Sequence, residues 1–238
     1  MKTLGIIGGL GPESTIDYYR SIIALFREKT GGAGYPPLVI VSLDVDKGLR
    51  LLGDNQLDEM AEYLATGARQ LAAAGADFAL LSANSGHIVF EQLRRASPIP
   101  LISIVEVTCD AVMRQQLRTV GLLGTRFTMA GRFYFEVAEK YGLRLIAPAA
   151  EEQTWIHDKY VNELLLGKFL PETREGLHQI IATIRQRDAI EGVVLAGTEL
   201  PLILRAESIA GLPLFDTTQI HVRAAVEEML RGGEANRR

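Results

Sequence analysis

Two apolar segments of the chain are each followed by polar side chains that could bind a small carboxylate and transfer a proton. The segment "DFALL" leads into "SANSGH", and "VVL" leads into "AGTELP". In both, a tiny residue lets a ligand lie close to the main chain, and hydroxyl or amide groups follow that can hold a carboxylate together with N–H groups. The hydroxyl and amide residues are Asn84, Ser85 and Thr198. The candidate proton-transfer groups are His87, Glu199 and Ser82, and an imidazole has the ordinary pKa closest to neutrality.

The same two segments are also compatible with ordinary helix starts. Ser85 and Thr198 are residue types that commonly cap a helix N-terminus, and His87 and Glu199 would then lie in first turns. For either segment alone both interpretations remain open. The occurrence of the pattern twice favours a shared ligand site.

A third candidate is the glycine-rich segment "GGLGPEST", which follows an apolar run and opens a predicted helix. Glycines before a helix leave main-chain N–H groups available to an anion. The segment lacks the last glycine of a dinucleotide fingerprint, and Pro12 removes one donor, which disfavours a nucleotide site. We predict a loop that lines a carboxylate site, and a purely structural turn is the alternative. Its contacting residues would be Gly9, Leu10, Gly11 and Ser14, with Thr125 at the matching place in the second half.

Metal and disulfide chemistry are disfavoured by the histidines and the cysteine. The four histidines show no metal-ligand spacing, so we predict no metal site. His157 could reach a site from a helix, although a lone helical histidine is more often packed or solvated. The single cysteine, Cys109, excludes an internal disulfide, favours a buried structural thiol and fits a reducing cytoplasm.

The composition is that of a soluble globular protein, with 47% hydrophobic and 23% charged residues. The net charge of -4 gives no indication of nucleic-acid binding. No apolar run approaches the roughly 20 residues of a membrane span. We therefore expect a soluble protein that acts on a small molecule.

The elements that must position these residues alternate between strands and helices, which predicts an α/β fold with parallel sheets. Most strand candidates are apolar without alternation, as in strands covered by helices on both faces. They are Thr3–Gly8, Leu38–Leu43, Asp77–Leu81, Pro100–Ser103, Thr119–Gly124, Arg144–Ile146, Gly192–Ala196 and Pro213–Phe215. Helices are predicted over Gln56–Ala73 and from Trp155 to near Gly167. A charged loop is predicted at 44–50, and it is equally compatible with substrate contacts and with a solvated surface loop.

An internal repeat divides the chain into two halves. "TLGIIG" resembles "TVGLLG", "LLSANSGH" resembles "VLAGTELP", and "IPLIS" resembles "LPLFD", in the same order and at nearly constant spacing. The repeat predicts two copies of one α/β unit. Because ligands bind at the carboxyl ends of strands in open parallel sheets, two facing copies would enclose one cleft.

These segments resemble the cofactor-independent aspartate/glutamate racemase superfamily. The resemblance rests on "LGIIGGLGPEST", "ANSGH", "GTELPLI", "IHDKYVNEL" and "PLFDTTQIHVRAAVE", and it spans nearly the whole chain. It implies two pseudo-symmetric α/β domains with the site between them, residues 1–104 plus 216–238 and residues 105–215, with the C-terminal helix returning to the first. It also implies a homodimer, an amino-acid-like substrate and no cofactor.

The resemblance further implies two cysteines that exchange the substrate's α-proton on opposite faces. Carried over position by position, they fall on Ala83 and Gly197, so neither thiol is present. Asn84, Ser85 and Thr198 match the residues that hold the α-carboxylate. A lysine that binds an acidic substrate side chain would fall near the apolar Leu165 or Leu166.

Three functions remain open at this stage. The first is an amino-acid racemase or epimerase that uses other bases, or water, at the two cysteine positions. The second is a lyase, decarboxylase or hydrolase on a small carboxylate. The third is a carboxylate-binding protein without turnover.

Overall fold

The structure is a computed structural model of the chain, and it describes residues 1–204 and 208–231. The chain forms two compact units. One consists of Met1–Ile104 with Thr218–Arg238, of which residues 232–238 lie outside the described residues, and the other is Val105–Thr217. The prediction that residues 232–238 belong to the first domain therefore lies outside the described residues.

The first unit is built on a four-stranded parallel sheet in the order β2-β1-β3-β4. Its strands are β1 Leu4–Gly8, β2 Leu38–Ser42, β3 Phe78–Leu81 and β4 Leu101–Ile102. Its α-helices are α1 Pro12–Lys29, α2 Val45–Gly53, α3 Leu57–Ala73 and α4 Phe90–Ala96, and the later helix α11 Thr217–Arg231 belongs almost wholly to it. A 3₁₀ helix covers Ser85–Val89.

The second unit is built on a five-stranded sheet in the order β6-β5-β7-β9-β8. Its strands are β5 Thr119–Gly124, β6 Arg144–Ile146, β7 Gly192–Ala196, β8 Ser208–Ile209 and β9 Leu212–Asp216. Its helices are α5 Ile104–Arg114, α6 Arg126–Met129, α7 Arg132–Lys140, α8 Ala150–Asn162, α9 Pro171–Asp188 and α10 Leu200–Ile203, with a 3₁₀ helix at Leu164–Leu166. The sheet is parallel except where β8 pairs with β9.

The predicted repeat is visible in the register of the two sheets. In the first sheet Ile7 of β1 pairs with Leu81 of β3, and in the second sheet Leu123 of β5 pairs with Leu195 of β7. These are the residues that the sequence repeat matches to each other. The fold class, two α/β units with parallel sheets flanked by helices, is therefore confirmed.

The core of the first unit includes apolar residues of helix α11. Apolar residues of α11 pack on the first strands and on α1, so the C-terminal helix covers one face of this sheet. Burial of a large aliphatic side chain stabilises a fold by roughly 1.5–3 kcal/mol, so this helix is an integral part of the unit. The helix contributes Val222, Ala225, Val226 and Met229 to this core.

All eight predicted strands are present, but several predicted boundaries are wrong. The helix predicted from Trp155 begins earlier, at Ala150, and its α-helical part ends at Asn162. A 3₁₀ helix follows and ends at Gly167, which has a φ of 70°. The charged loop predicted at 44–50 is mostly helix α2, which Asp44 begins by accepting hydrogen bonds from the N–H groups of Asp46 and Lys47. Strand β8 has two residues and was not predicted.

Candidate functional site

The candidate residues of the first unit lie at one edge of its sheet. Segment 9–15 follows β1 and segment 82–87 follows β3, and these strands are parallel neighbours, so their carboxyl ends meet at the same edge. We call these two segments the first cluster. Asn84 is buried and Ser85 is half-buried. The arrangement brings the glycine-rich turn and the "SANSGH" turn together, as the sequence indicates for a parallel sheet.

Hydrogen bonds hold the two segments of the first cluster against each other. Ser14 Oγ donates to the Ser82 carbonyl oxygen at 2.9 Å, and the hydroxyls of Thr15 and Ser82 are 3.3 Å apart. The Ser82 N–H donates to the Ile7 carbonyl oxygen at 3.0 Å, and its hydroxyl points to the same oxygen. Ser82 is thus tied to the end of β1, and this internal bonding speaks against its predicted role as a proton-transfer group.

Glycine is required at the first turn of this cluster. Gly9 has a φ of 85°, and a Cβ there would collide with the main-chain oxygen of Leu43. Gly11 has a φ of 149° and precedes Pro12 at the start of α1. The half-buried Leu10 lies between the two glycines. The turn therefore keeps its main chain close to the ends of β1 and β2.

His87 has both ring nitrogens hydrogen bonded to main chain. Its Nε2 accepts from the Ile104 N–H at 3.2 Å, which assigns the proton to Nδ1, and Nδ1 donates to the Ala83 carbonyl oxygen at 2.9 Å. The ring stacks on Phe90, and burial lowers the pKa of His87 to about 4. Because neither nitrogen has a lone pair left for a substrate, this geometry argues against His87 as the predicted base.

A second buried histidine fastens α11 to the rest of the first unit. Tyr18 donates its hydroxyl hydrogen to His221 Nδ1 at 2.9 Å, and His221 Nε2 donates to the Ile102 carbonyl oxygen at 3.0 Å. Burial, followed by the neighbouring His87, lowers the pKa of His221 to about 3. The two rings are 6.4 Å apart, so two neutral imidazoles support the strand ends from within the unit.

Replacing Ser14 with alanine is expected to lower the free energy of unfolding by about 1–2 kcal/mol, because it deletes a buried hydrogen bond to a main-chain oxygen. Urea unfolding measures this loss. Ser21→Ala, on the same helix, is the matched control, because it loses only an exposed hydrogen bond from Gln219 and is expected to change the free energy within about 0.5 kcal/mol. Equal losses in the two variants would show that the bond between Ser14 and Ser82 does not stabilise the first cluster.

The candidate residues of the second unit lie at the corresponding edge of its sheet. Gly197, Thr198 and Glu199 follow β7, and Thr125 follows β5, the parallel neighbour of β7. We call these four residues and Tyr160 the second cluster. Thr125 is half-buried, and its Oγ1 is 3.4 Å from that of Thr128. Thr198 and Glu199 are buried.

A buried carboxylate organises the second cluster. The hydroxyls of Tyr160 and Thr198 both donate to Glu199 Oε2, the second at 2.8 Å. The Glu199 N–H in turn donates to the Tyr160 hydroxyl oxygen at 3.3 Å. Two hydroxyl donors on one oxygen fix the position of the carboxyl group. Glu199 therefore lies where the sequence predicts, with its side chain held by Tyr160 and Thr198.

Sequence reasoning missed Tyr160. Ile156, Tyr160 and Leu164 are spaced by four residues and form the buried stripe of their segment, so the tyrosine reads as core. The available signal is that a buried tyrosine hydroxyl needs a hydrogen-bond partner. That partner, Glu199, is 39 residues away in the sequence.

Helix capping does not explain the two polar turns. The N-cap residue of the 3₁₀ helix is Asn84 and that of α10 is Glu199, and neither side chain makes a capping hydrogen bond. The alternative in which Ser85 and Thr198 act as helix caps is therefore wrong.

The remaining candidates lie in different surroundings. His157 accepts a hydrogen bond from the Arg126 N–H at 3.4 Å, at the start of α6. Leu165 packs on the core of the second unit, whereas Leu166 is exposed. Cys109 is buried, as predicted, and burial raises the pKa of its thiol to about 12.

Among residues 1–204 and 208–231, no group of three or more histidine, cysteine, aspartate or glutamate side chains could hold a metal ion. Within the same ranges, every helix is too short or too polar to cross a membrane.

Comparison with known proteins gives consistent matches over nearly the whole chain. The family model described as Asp/Glu/Hydantoin racemase matches residues 7–225. The broad specificity amino-acid racemase RacX of Bacillus subtilis (strain 168) is 24% identical over 234 residues, which cover 95% of this chain and 98% of that protein.

Solved structures agree with this result. A candidate Asp/Glu racemase from Yersinia pestis has a TM-score of 0.88 and 31% identity, covering 97% of this chain and 100% of that chain. An aspartate racemase homologue from Pyrococcus horikoshii OT3 has a TM-score of 0.83 and 33% identity, covering 96% and 99%.

Proposed function

The chain belongs to the Asp/Glu/Hydantoin racemase family, and from this premise we propose that it is an isomerase acting on a small amino-acid-like carboxylate without pyridoxal phosphate or a metal. The observation that carries the proposal is the equivalence of the two strand ends. β3 and β7 hold the same place in their sheets, and both end in buried polar turns. Such turns at the carboxyl ends of parallel strands are typical of ligand sites.

We place the substrate's carboxylate on the polar residues of these turns. Asn84 and Ser85 supply an amide and a hydroxyl in the first cluster, next to the small Ala83. Thr198 supplies a hydroxyl in the second cluster, and to bind the carboxylate it would turn towards the substrate the hydrogen that it donates to Glu199. The turn from Gly9 to Ser14 would line the same site from the end of β1. The proposal assigns substrate contacts to the residues of each cluster.

The proton-transfer groups of the proposed isomerase differ from a pair of thiols. The resemblance puts the two cysteines at Ala83 and Gly197. Each stands two residues beyond a strand position that the repeat matches, Leu81 in β3 and Leu195 in β7. Cys109 cannot replace them, because it is buried in α5 with a raised pKa. We therefore assign proton transfer in the second cluster to Glu199 with Tyr160, and in the first cluster to a water molecule beside Ala83.

The second candidate function is carboxylate binding without turnover. The specific observation in its favour is the internal bonding of His87 and Ser82, which engages both side chains that the sequence proposes for proton transfer in the first cluster. A positioned general base contributes 10²- to 10⁴-fold to a rate, so its absence on one face is a large loss. The lyase, decarboxylase or hydrolase alternative has no observation of its own and becomes an outcome of the test.

Removal of the proposed carboxylate holders is expected to weaken ligand binding. Asn84→Ala and Thr198→Val should each raise the dissociation constant of the best amino-acid ligand about tenfold, since each deletes a hydrogen bond to a charged group. Calorimetric titration measures the constant. Thr183→Val, at an exposed position of α9, is the matched control and should bind as the native chain does. Unchanged binding in the Asn84 and Thr198 variants would remove these residues from the site.

Incubation in D₂O with a panel of L- and D-amino acids separates the functions. Deuterium at the α-carbon together with the opposite enantiomer supports the isomerase. Bicarbonate, ammonia or a cleaved product supports a lyase or hydrolase. Saturable ligand stabilisation without any turnover supports the binding protein and would contradict the proposed isomerase.

A further inference from the structure

The space beside Gly197 is filled by the side chain of Tyr160. A Cβ built on Gly197 would lie 2.6 Å from Tyr160 Cε2, 3.1 Å from its Cζ and 3.0 Å from its hydroxyl oxygen. Cβ atoms in proteins essentially never come within 3.0 Å of a heavy atom to which they are not covalently connected. Residue 197 can therefore carry a side chain only if the Tyr160 ring moves.

The Tyr160 ring has little freedom to move. It is 3% exposed and packs in the core of the second unit with Leu123, Met129, Ile156 and Leu164. Its hydroxyl is fixed at the other end by Glu199, both through the carboxylate and through the main-chain N–H. Protein interiors are close-packed, so a shift of this ring would disturb several neighbours at once.

The chemistry of this position is that of a neutral phenol. Burial, followed by the negative charge of Glu199, raises the pKa of Tyr160 well above its ordinary value. At neutral pH the hydroxyl therefore keeps its proton and donates it to the carboxylate. Thr198 donates to the same carboxylate oxygen, so Tyr160, Thr198 and Glu199 form one connected group at the end of β7.

We propose that Tyr160 stands in for the side chain that Gly197 lacks. Its ring occupies the volume that a side chain at 197 would need, and its hydroxyl, bound to Glu199, is the group that a ligand meets at the end of β7. The ring part concerns packing alone. The hydroxyl part rests on the proposed function, because it takes the end of β7 to be part of the substrate site.

The ring part is tested by introducing a methyl group at Gly197 in three backgrounds. In the native chain, Gly197→Ala is expected to raise the unfolding equilibrium constant about tenfold or more, as overpacking a core does. With Tyr160→Phe the ring remains, so the same increase is expected. With Tyr160→Leu the colliding ring atoms are absent, and the increase should be within about threefold. Urea unfolding, without any substrate, gives all three values.

Equal costs of Gly197→Ala in the phenylalanine and leucine backgrounds would overturn the ring part. Because each cost is a difference between two variants of the same background, the loss of packing in Tyr160→Leu itself does not enter the comparison. Gly197→Ala adds only one methyl group, which keeps the variants measurable.

The hydroxyl part is tested by Tyr160→Phe in the D₂O exchange assay. This variant should lower kcat for α-hydrogen exchange about tenfold or more, with KM within about threefold, because it removes a hydrogen bond to a charged group. Tyr134→Phe is the matched control, since Tyr134 is an equally buried tyrosine of the second unit and should keep the native rate.

The failures of the two proposals can be told apart. Exchange by the native chain that Tyr160→Phe leaves unchanged would overturn the hydroxyl part and leave the proposed function intact. Absence of exchange in the native chain would overturn the proposed function and the hydroxyl part together. The unfolding comparison would then still decide whether the Tyr160 ring takes the place of a side chain at 197.

Discussion

Lowering the pH from about 7.5 to about 5 is expected to reduce the free energy of unfolding by about 4 kcal/mol, through His87 and His221. Both imidazoles are buried and neutral in the folded chain, where their pKa values are lowered to about 4 and about 3. Unfolding returns them to an ordinary value of 6.5. Each therefore contributes about 2 kcal/mol at this pH, because one pKa unit corresponds to about 1.4 kcal/mol.

The direction of the effect follows from which state binds more protons. Between pH 6.5 and about 4 the unfolded chain protonates both histidines and the folded chain protonates neither, so stability falls as the pH is lowered. The stabilisation is fully present above pH 6.5 and is lost as the pH falls towards the folded pKa values. Carboxylates with lowered pKa values, such as Glu163 and Glu228, add a further loss at lower pH.

Urea unfolding at a series of pH values measures this dependence, and single variants assign it. His87→Gln and His221→Gln should each remove about half of the slope of the unfolding free energy between pH 6 and pH 5. Each variant removes about one of the two protons that the unfolded chain binds and the folded chain does not. His157→Gln is the matched control, because its pKa is also lowered but the side chain is only partly buried, so it should remove less. A native slope near zero would show that these imidazoles are accessible to protons in the folded chain.

Restoring cysteine at both 83 and 197 is expected to produce amino-acid racemisation only when Tyr160 is shortened as well. Gly197→Cys in the native background forces a Cβ against the Tyr160 ring, so the thiol is misplaced or the unit is destabilised. The combination of Ala83→Cys, Gly197→Cys and Tyr160→Leu provides the space. Its racemisation rate should exceed that of the native chain by about 10²-fold or more, the contribution of a positioned general base.

Chiral chromatography of products from L- and D-amino acids measures the rate. The matched control carries Ala83→Ser, Gly197→Ser and Tyr160→Leu, which keeps the sizes but replaces the thiols with hydroxyls, and it should be no faster than the native chain. Racemisation by Ala83→Cys with Gly197→Cys while Tyr160 is intact would contradict the steric argument. A folded, inactive triple variant would contradict the assignment of positions 83 and 197.

The sequence was sufficient for the sheets because their signals are local. The repeated strands β1 and β5 are short apolar runs, and the repeat aligned Ile7 with Leu123 and Leu81 with Leu195. The structure pairs Ile7 with Leu81 in the first sheet and Leu123 with Leu195 in the second, as that alignment requires. The misses also have physical causes. Helix α2 is short and charged, so its pattern read as a loop, and strand β8 consists of two residues.

The site was less predictable, because its decisive contacts are distant in sequence. The segments of both clusters could be named from "SANSGH", "GGLGPEST" and "AGTELP". The hydrogen bonding of His87 could not be predicted, because its Nε2 accepts from the main-chain N–H of Ile104, 17 residues later. The role of Tyr160 depends on the glycine at 197 and the carboxylate at 199, which only the folded second unit brings to it.

The most direct test of the proposed isomerase is the rate of α-deuterium incorporation into an amino acid, followed by proton NMR in D₂O at pH 7.5. The native chain is expected to exchange the α-hydrogen of at least one small amino acid and to form its enantiomer. Asn84→Ala is expected to slow that exchange about tenfold. An unchanged α-proton signal for every amino acid that stabilises the native chain against unfolding would contradict the isomerase and leave a binding protein.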